Sequence, residues 1–173
     1  MLSLLRSQQT LRPLLAITQR STTLRTTTKT VSPLLQTQRT MSSTTHPSLT
    51  LVSTANAPAA VGPYTQAVKL GDLLFLSGSL GLDPAVGKLV EGGVEAQAEQ
   101  ALKNMKAVLE AGGSELGKVV KTTVFLADMD HFVAVNGVYS KYFDGHKPAR
   151  SAVQVARLPL NALFEIECIA SLK

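Results

Sequence analysis

Pro148-Ala149-Arg150-Ser151-Ala152-Val153-Gln154-Val155-Ala156-Arg157-Leu158-Pro159 and, after four more residues, Phe164-Glu165-Ile166-Glu167-Cys168-Ile169-Ala170 decide how this chain is read. Each half is strand-like and carries a charge in an otherwise sheet-forming run. Around Arg150 the residues Ala152, Val153 and Val155 suit a sheet. In the second half Phe164, Ile166 and Cys168 alternate with Glu165 and Glu167, which puts the carboxylates on the face opposite the apolar side chains. Such alternation ordinarily marks a half-exposed strand with a solvated face; charges lining a cleft are the rarer case.

Upstream, Leu49–Val52 opens a first strand, and Gln66–Leu70 and Leu73–Ser79 flank Gly71-Asp72, a two-residue turn that predicts a hairpin. Gly87 and Gly92-Gly93 punctuate the connection to a helix over Val94–Ala111. There Ala98, Ala101, Leu102, Met105, Val108 and Leu109 recur at helical spacing until Gly112-Gly113. Val119–Leu126 is β-branched and reads as a buried strand. Asp128 or Asp130 then caps a second helix carrying Phe132, Val135, Tyr139 and Phe143. Hairpin, helix, strand, helix and two strands predict an α+β fold, a mixed sheet with both helices on one face.

The 173 residues suit one domain with an appendage, and the charge separates the two. No acid precedes Asp72, whereas Arg6, Arg12, Arg20, Arg25, Lys29 and Arg39 all fall in the first forty residues; removing those six from 17 basic residues leaves 11 against 12 acidic ones. The leader, rich in Ser, Thr, Arg and Leu, has the composition of a mitochondrial transit peptide. Residues 1–41 are therefore expected to be cleaved near Arg39-Thr40-Met41, leaving a domain over 42–173 for the mitochondrial matrix. No apolar run approaches the roughly 20 residues of a membrane helix, so no membrane association is expected after import.

Chemistry is narrowed by what the residues do not spell. The single cysteine, Cys168, excludes an intrachain disulfide and any Cys-based metal cluster, and His46, His131 and His146 lack ligand spacing, so no metal is expected. Neither a GxSxG elbow nor a phosphate-binding glycine loop occurs. With no Trp and no Lys/Arg cluster after the leader, no stable nucleic-acid partner is expected. What remains is an arginine, a carboxylate and some hydroxyl and amide groups, a set suited to small anionic substrates. A guanidinium fork binds a carboxylate by two parallel hydrogen bonds, and a buried carboxylate can deprotonate a water. Alternation cannot separate Glu165 from Glu167 in that second role.

Five separated segments, Asn56–Ala67 (NAPAAVGPYTQA), Leu74–Pro84 (LFLSGSLGLDP), Val119–Tyr139 (VVKTTVFLADMDHFVAVNGVY), PARSAVQVARLP and FEIECIA, occur in an order that resembles the RidA/YjgF family of small trimeric imine deaminases. The resemblance covers roughly residues 50–173. It implies the chorismate-mutase-like fold, a mixed six-stranded sheet with two helices on one face, assembled as a homotrimer. It further implies cofactor-free hydrolysis of 2-imino acids to 2-oxo acids and ammonia, clearing the reactive imines and enamines that pyridoxal-phosphate dehydratases release. In that pattern Arg150 holds the substrate's carboxylate, helped by backbone N–H groups of Gly78 and Ala152. Glu165 positions the water, and Tyr64, Ser77 and Asn136 line the cleft. Many relatives carry a cysteine where this chain has Ala152, so no role for that thiol carries over. Some relatives have been described as ribonucleases or translation inhibitors, and a non-enzymatic ligand-binding trimer would use the same cleft; these remain the alternatives.

Overall fold

The computed structural model describes residues 44–173, so the leader expected over 1–41 lies outside the described residues. Gly71, at φ 56°, makes the turn that joins β2 (Ala67–Leu70) to β3 (Leu73–Leu80), a left-handed conformation that glycine adopts without steric cost. β1 (Leu49–Val52) pairs antiparallel with β2. The full order is β1-β2-β3-β8-β6-β7. Here β6 is Val119–Leu126, β7 Ala149–Gln154 and β8 Phe164–Ser171. Among the described residues only β6 and β7 run parallel, as expected of strands joined by a helix; β8 is antiparallel to both of its neighbours.

Both helices lie on one face, as the sequence order implied. α1 (Gly93–Ala111) presents Ala98, Ala101, Leu102, Met105 and Leu109, all fully buried, to Leu74, Val124, Phe164 and Ile166 of the sheet. At its end Gly113 takes φ 78° and the Ser114 N–H returns to the Leu109 carbonyl, a left-handed glycine stop. α2 (Phe132–Tyr142) adds Val135, Val138 and Tyr139 to the same core.

Local differences from the expectation have simple causes. A small hairpin, β4 (Leu82–Asp83) and β5 (Lys88–Leu89), sits where the sequence shows only glycine punctuation, closed through Gly87 at φ 67°. Asp128 caps not α2 but the 3₁₀ turn Met129–His131 that leads into it, its Oδ1 accepting from the Asp130 N–H at 2.9 Å. Phe143 falls one residue beyond α2 yet remains buried.

The face of the sheet away from the helices is largely apolar and lacks a covering element among the described residues. Register aligns Leu51, Val68, Phe75 and Ile169 in one row across four strands, and Leu49, Leu70 and Leu73 in the next. Leu51, Leu70, Leu73 and Phe75 are all exposed.

Candidate functional site

The first half of the site grows from a break in a ladder. Leu76 pairs with Cys168 and Ser79 with Ile166, so Ser77 and Gly78 together oppose Glu167: a β-bulge, which bends the strand and re-aims its side chains. Ser77 is held there twice, its N–H donating to the Gln66 carbonyl at 3.0 Å and its hydroxyl to the Thr65 carbonyl at 2.7 Å. The Gln66 side chain in turn accepts from the Thr54 N–H at 2.6 Å and donates to the Pro58 carbonyl at 2.7 Å. That pins the loop carrying Ala57 to Tyr64 against the end of β3.

Glu165 occupies the space that a side chain at Gly78 would need. A Cβ built on Gly78 would lie 2.8 Å from the carboxyl carbon of Glu165 and closer still to its Oε1. Burial pushes the Glu165 carboxyl above its ordinary value, and the neighbouring Glu167 charge adds to the shift. Among the described residues, no Lys, Arg or His forms an ion pair with Glu165. Around this carboxylate opens a cavity of about 360 Å³ to which Tyr64, Ser77 and Gly78 also contribute, walled mainly by apolar side chains such as Leu80 and Leu82. Leu160 forms part of its lip, and both Leu160 and Asn161 sit at left-handed φ, 57° and 56°, a conformation that costs a non-glycine residue about 1–2 kcal/mol.

Two polar residues of α1 shape this half-site and went unread in the sequence. Asn104, almost fully buried, donates from Nδ2 to the Leu80 carbonyl at 2.9 Å and to the Leu82 carbonyl at 2.8 Å. Gln97 accepts the Leu163 N–H at 2.8 Å, fixing the segment that enters β8. Their signal was present: both fall among the apolar positions of an amphipathic helix, where a polar side chain needs a partner.

The second half lies elsewhere. The Arg150 guanidinium carbon stands 4.6 Å from the ring centroid of Tyr139 and 5.6 Å from that of Phe132. Tyr139 is fixed by a 2.9 Å hydrogen bond between its hydroxyl and that of Thr122, and burial raises its pKa. Ala152 follows two residues along β7 on the same face, opposite Val124. Asn136 is half-buried on α2, on the stripe of Phe132 and Tyr139 by its spacing.

Register shows that one chain does not bring the two halves together. Arg150 pairs with Thr122, which pairs with Cys168 on the helix-covered face. Glu165, three residues from Cys168 in a strand of period two, lies on the opposite face. Tyr64, Ser77, Gly78 and Glu165 thus converge, whereas Arg150, Ala152 and Asn136 form a separate group. Among the described residues no three His, Cys, Asp or Glu side chains are placed to share a metal ion.

Comparison with known proteins agrees with this architecture. A family model described as Endoribonuclease L-PSP matches residues 54–172. The chain is 58% identical over 122 residues to Reactive Intermediate Deaminase A, chloroplastic, of Arabidopsis thaliana, a match covering 70% of this chain and 65% of that protein. It is 53% identical over 120 residues to the 2-iminobutanoate/2-iminopropanoate deaminase of Mus musculus, covering 69% of this chain and 89% of that one. Among solved structures, yeast Mmf1 superposes with a TM-score of 0.70 at 46% identity, covering 72% of this chain and 99% of that one.

Proposed function

Since the chain belongs to the Endoribonuclease L-PSP family, which includes the RidA/YjgF imine deaminases its motifs resemble, we propose that it hydrolyses small 2-imino acids to 2-oxo acids and ammonia. The substrates are 2-iminobutanoate and 2-iminopropanoate, the compounds named for the mouse relative. Arg150 grips the carboxylate through its fork, with the Ala152 and Gly78 N–H groups assisting and Tyr64, Ser77 and Asn136 bordering the ligand. Glu165, its proton affinity raised, accepts a proton from water as the oxygen bonds to the C=N carbon. The Glu165 carboxylic acid returns that proton to the imine nitrogen, giving a carbinolamine; the carboxylate then takes the carbinolamine's hydroxyl proton and passes it to the amine, so that the C–N bond breaks, the C=O bond forms and ammonia leaves. Imines hydrolyse unaided, so orientation and proton shuttling by a single positioned carboxyl group, typically worth 10²–10⁴-fold, are sufficient catalysis.

One observation supports a site shared between copies: Arg150 and Glu165, the two residues given these roles, lie on opposite faces of the same sheet. A working site then takes Arg150 from one copy and Glu165 from a neighbour in a homotrimer. The row of Leu51, Val68, Phe75 and Ile169 on the Glu165 side supplies apolar surface for that neighbour to cover. The leader's acid-free composition supports delivery to the mitochondrial matrix, where the enzyme would scavenge imines released by pyridoxal-phosphate dehydratases.

Subunit complementation tests the proposal. Arg150→Ala and Glu165→Gln chains should each be inactive toward 2-iminobutanoate generated in situ. Co-refolded at equal amounts, they should recover up to about a quarter of wild-type activity, because each site between two copies draws its halves at random. Full activity in Arg150→Ala alone would sink the deaminase assignment. An inactive mixture that assembles normally would sink the shared site.

A further inference from the structure

Arg150 presents an unusual economy of contacts. Its guanidinium sits on an edge strand, half-buried, yet among the described residues no carboxylate lies within ion-pair distance and no side-chain or backbone acceptor takes a hydrogen bond from it. A long arginine side chain left without partners carries about 2 kcal/mol of rotamer entropy that ligand binding would have to remove. Here the guanidinium is instead placed against two aromatic rings of α2, at 4.6 Å from Tyr139 and 5.6 Å from Phe132. An arginine packed on a ring face is attracted through its π-surface, an interaction that leaves the in-plane N–H groups free.

The ring nearer to Arg150 is itself locked. Thr122, fully buried, is the residue directly across from Arg150 in the β6–β7 ladder, and its hydroxyl holds the Tyr139 hydroxyl at 2.9 Å. Tyr139 also packs against Phe143, ring centroids 4.6 Å apart. A single rung of the sheet therefore fixes both the arginine backbone and the ring beneath its head group.

We propose that Tyr139, fastened by Thr122 and supplemented by Phe132, is a positioning residue that holds the Arg150 head group by its face so that every N–H remains available to the substrate's carboxylate. The inference rests on the deaminase reading above and specifies how its anion-binding half is prepared. A carboxylate partner in the same place would steady the arginine equally well, but it would occupy the fork and cancel the charge that the substrate must find. Aromatic support avoids both losses, which explains why this charge is ringed by Phe, Tyr and Thr.

The test separates orientation from general damage by comparing ligands that differ only in charge. In the full chain, Tyr139→Leu, Tyr139→Phe and Phe132→Leu are assayed for kcat and KM with 2-iminobutanoate, and by calorimetry for 2-oxobutanoate and its uncharged amide, 2-oxobutanamide. Tyr139→Leu should raise KM and the 2-oxobutanoate Kd about tenfold. It should change kcat at saturation and amide binding by no more than about threefold. Tyr139→Phe, which keeps the ring face, should restore most of the loss, and Phe132→Leu should act in the same direction but more weakly. Because Tyr139 is buried, Phe132→Leu carries the test if the leucine variant does not fold. Wild-type affinity for 2-oxobutanoate in the ring-deleted variants, or equal losses for acid and amide, would overturn the inference. Undiminished turnover in Arg150→Ala would instead strike the deaminase reading itself, so the two failures are distinguishable.

Discussion

Gly78→Ala isolates the carboxylate's position from the rest of the fold. The new methyl group would stand 2.8 Å from the Glu165 carboxyl carbon, 3.2 Å from its Cγ and nearer still to Oε1, so the side chain must leave its present place. The backbone at Gly78 is not in the left-handed region, and alanine fits it without strain. What yields is the far end of a flexible side chain. The expense is an off-rotamer Glu165, about 0.5–1.5 kcal/mol, set against the roughly 0.5–1 kcal/mol that alanine gains over glycine in a strand. Net stability should therefore shift by less than about 1 kcal/mol, measured by chemical denaturation. On the role proposed for Glu165, catalysis should not be spared, because a displaced general base forfeits at least the lower end of its usual contribution, about 10²-fold or roughly 2.7 kcal/mol of barrier. Turnover of 2-iminobutanoate generated in situ reads this loss. A double variant with Glu165→Gln should be no worse than the poorer single one, since both remove the same function. Gly78→Ala retaining kcat/KM within about threefold would refute the placement of Glu165 as the base.

The same carboxylate sets a pH signature. With its folded pKa raised above the ordinary 4.5 by burial and then by Glu167, Glu165 is protonated and idle on the acid side, so kcat/KM should fall as pH drops through a value above 4.5. Glu167→Gln, which removes the like charge, should move that limb to lower pH; an upward shift would contradict the cause assigned. Because the folded chain holds this proton more tightly than the unfolded one, the group's contribution to stability is present at low pH and declines as pH rises through the raised pKa. Glu165→Gln should lack this decline in a denaturation series over the same window. Asn104→Ala strands the Leu80 and Leu82 carbonyls that its amide now satisfies, and should cost about 1–3 kcal/mol in urea unfolding; a loss under about 0.5 kcal/mol would show that other groups fill the gap.

Much of the scaffold was legible because its signals are local. Alternation in Phe164–Ala170 fixed which residues of β8 face the core, the Ala98-to-Leu109 stripe gave α1, and Gly71-Asp72 marked the hairpin. Strand order was not legible, since nothing in FEIECIA says that it inserts between β3 and β6. For the same reason the sequence placed Arg150 and Glu165 in one cleft without indicating that their faces differ within a chain: that relation depends on long-range register, through Thr122 and Cys168. Asn104 and Gln97 escaped because their apolar neighbours mask them in a periodicity count.

The bulge at Ser77–Gly78 carries a consequence for how such a chain can change over time. Before it, even-numbered residues of β3 point toward the helices; beyond it, Ser79 does. The odd insertion flips the parity of the strand. Deleting one residue there would restore ordinary alternation, giving a sheet that still pairs along its length but has no niche for a carboxylate. A lineage shedding the proposed chemistry while keeping the scaffold thus has a one-codon path through this strand.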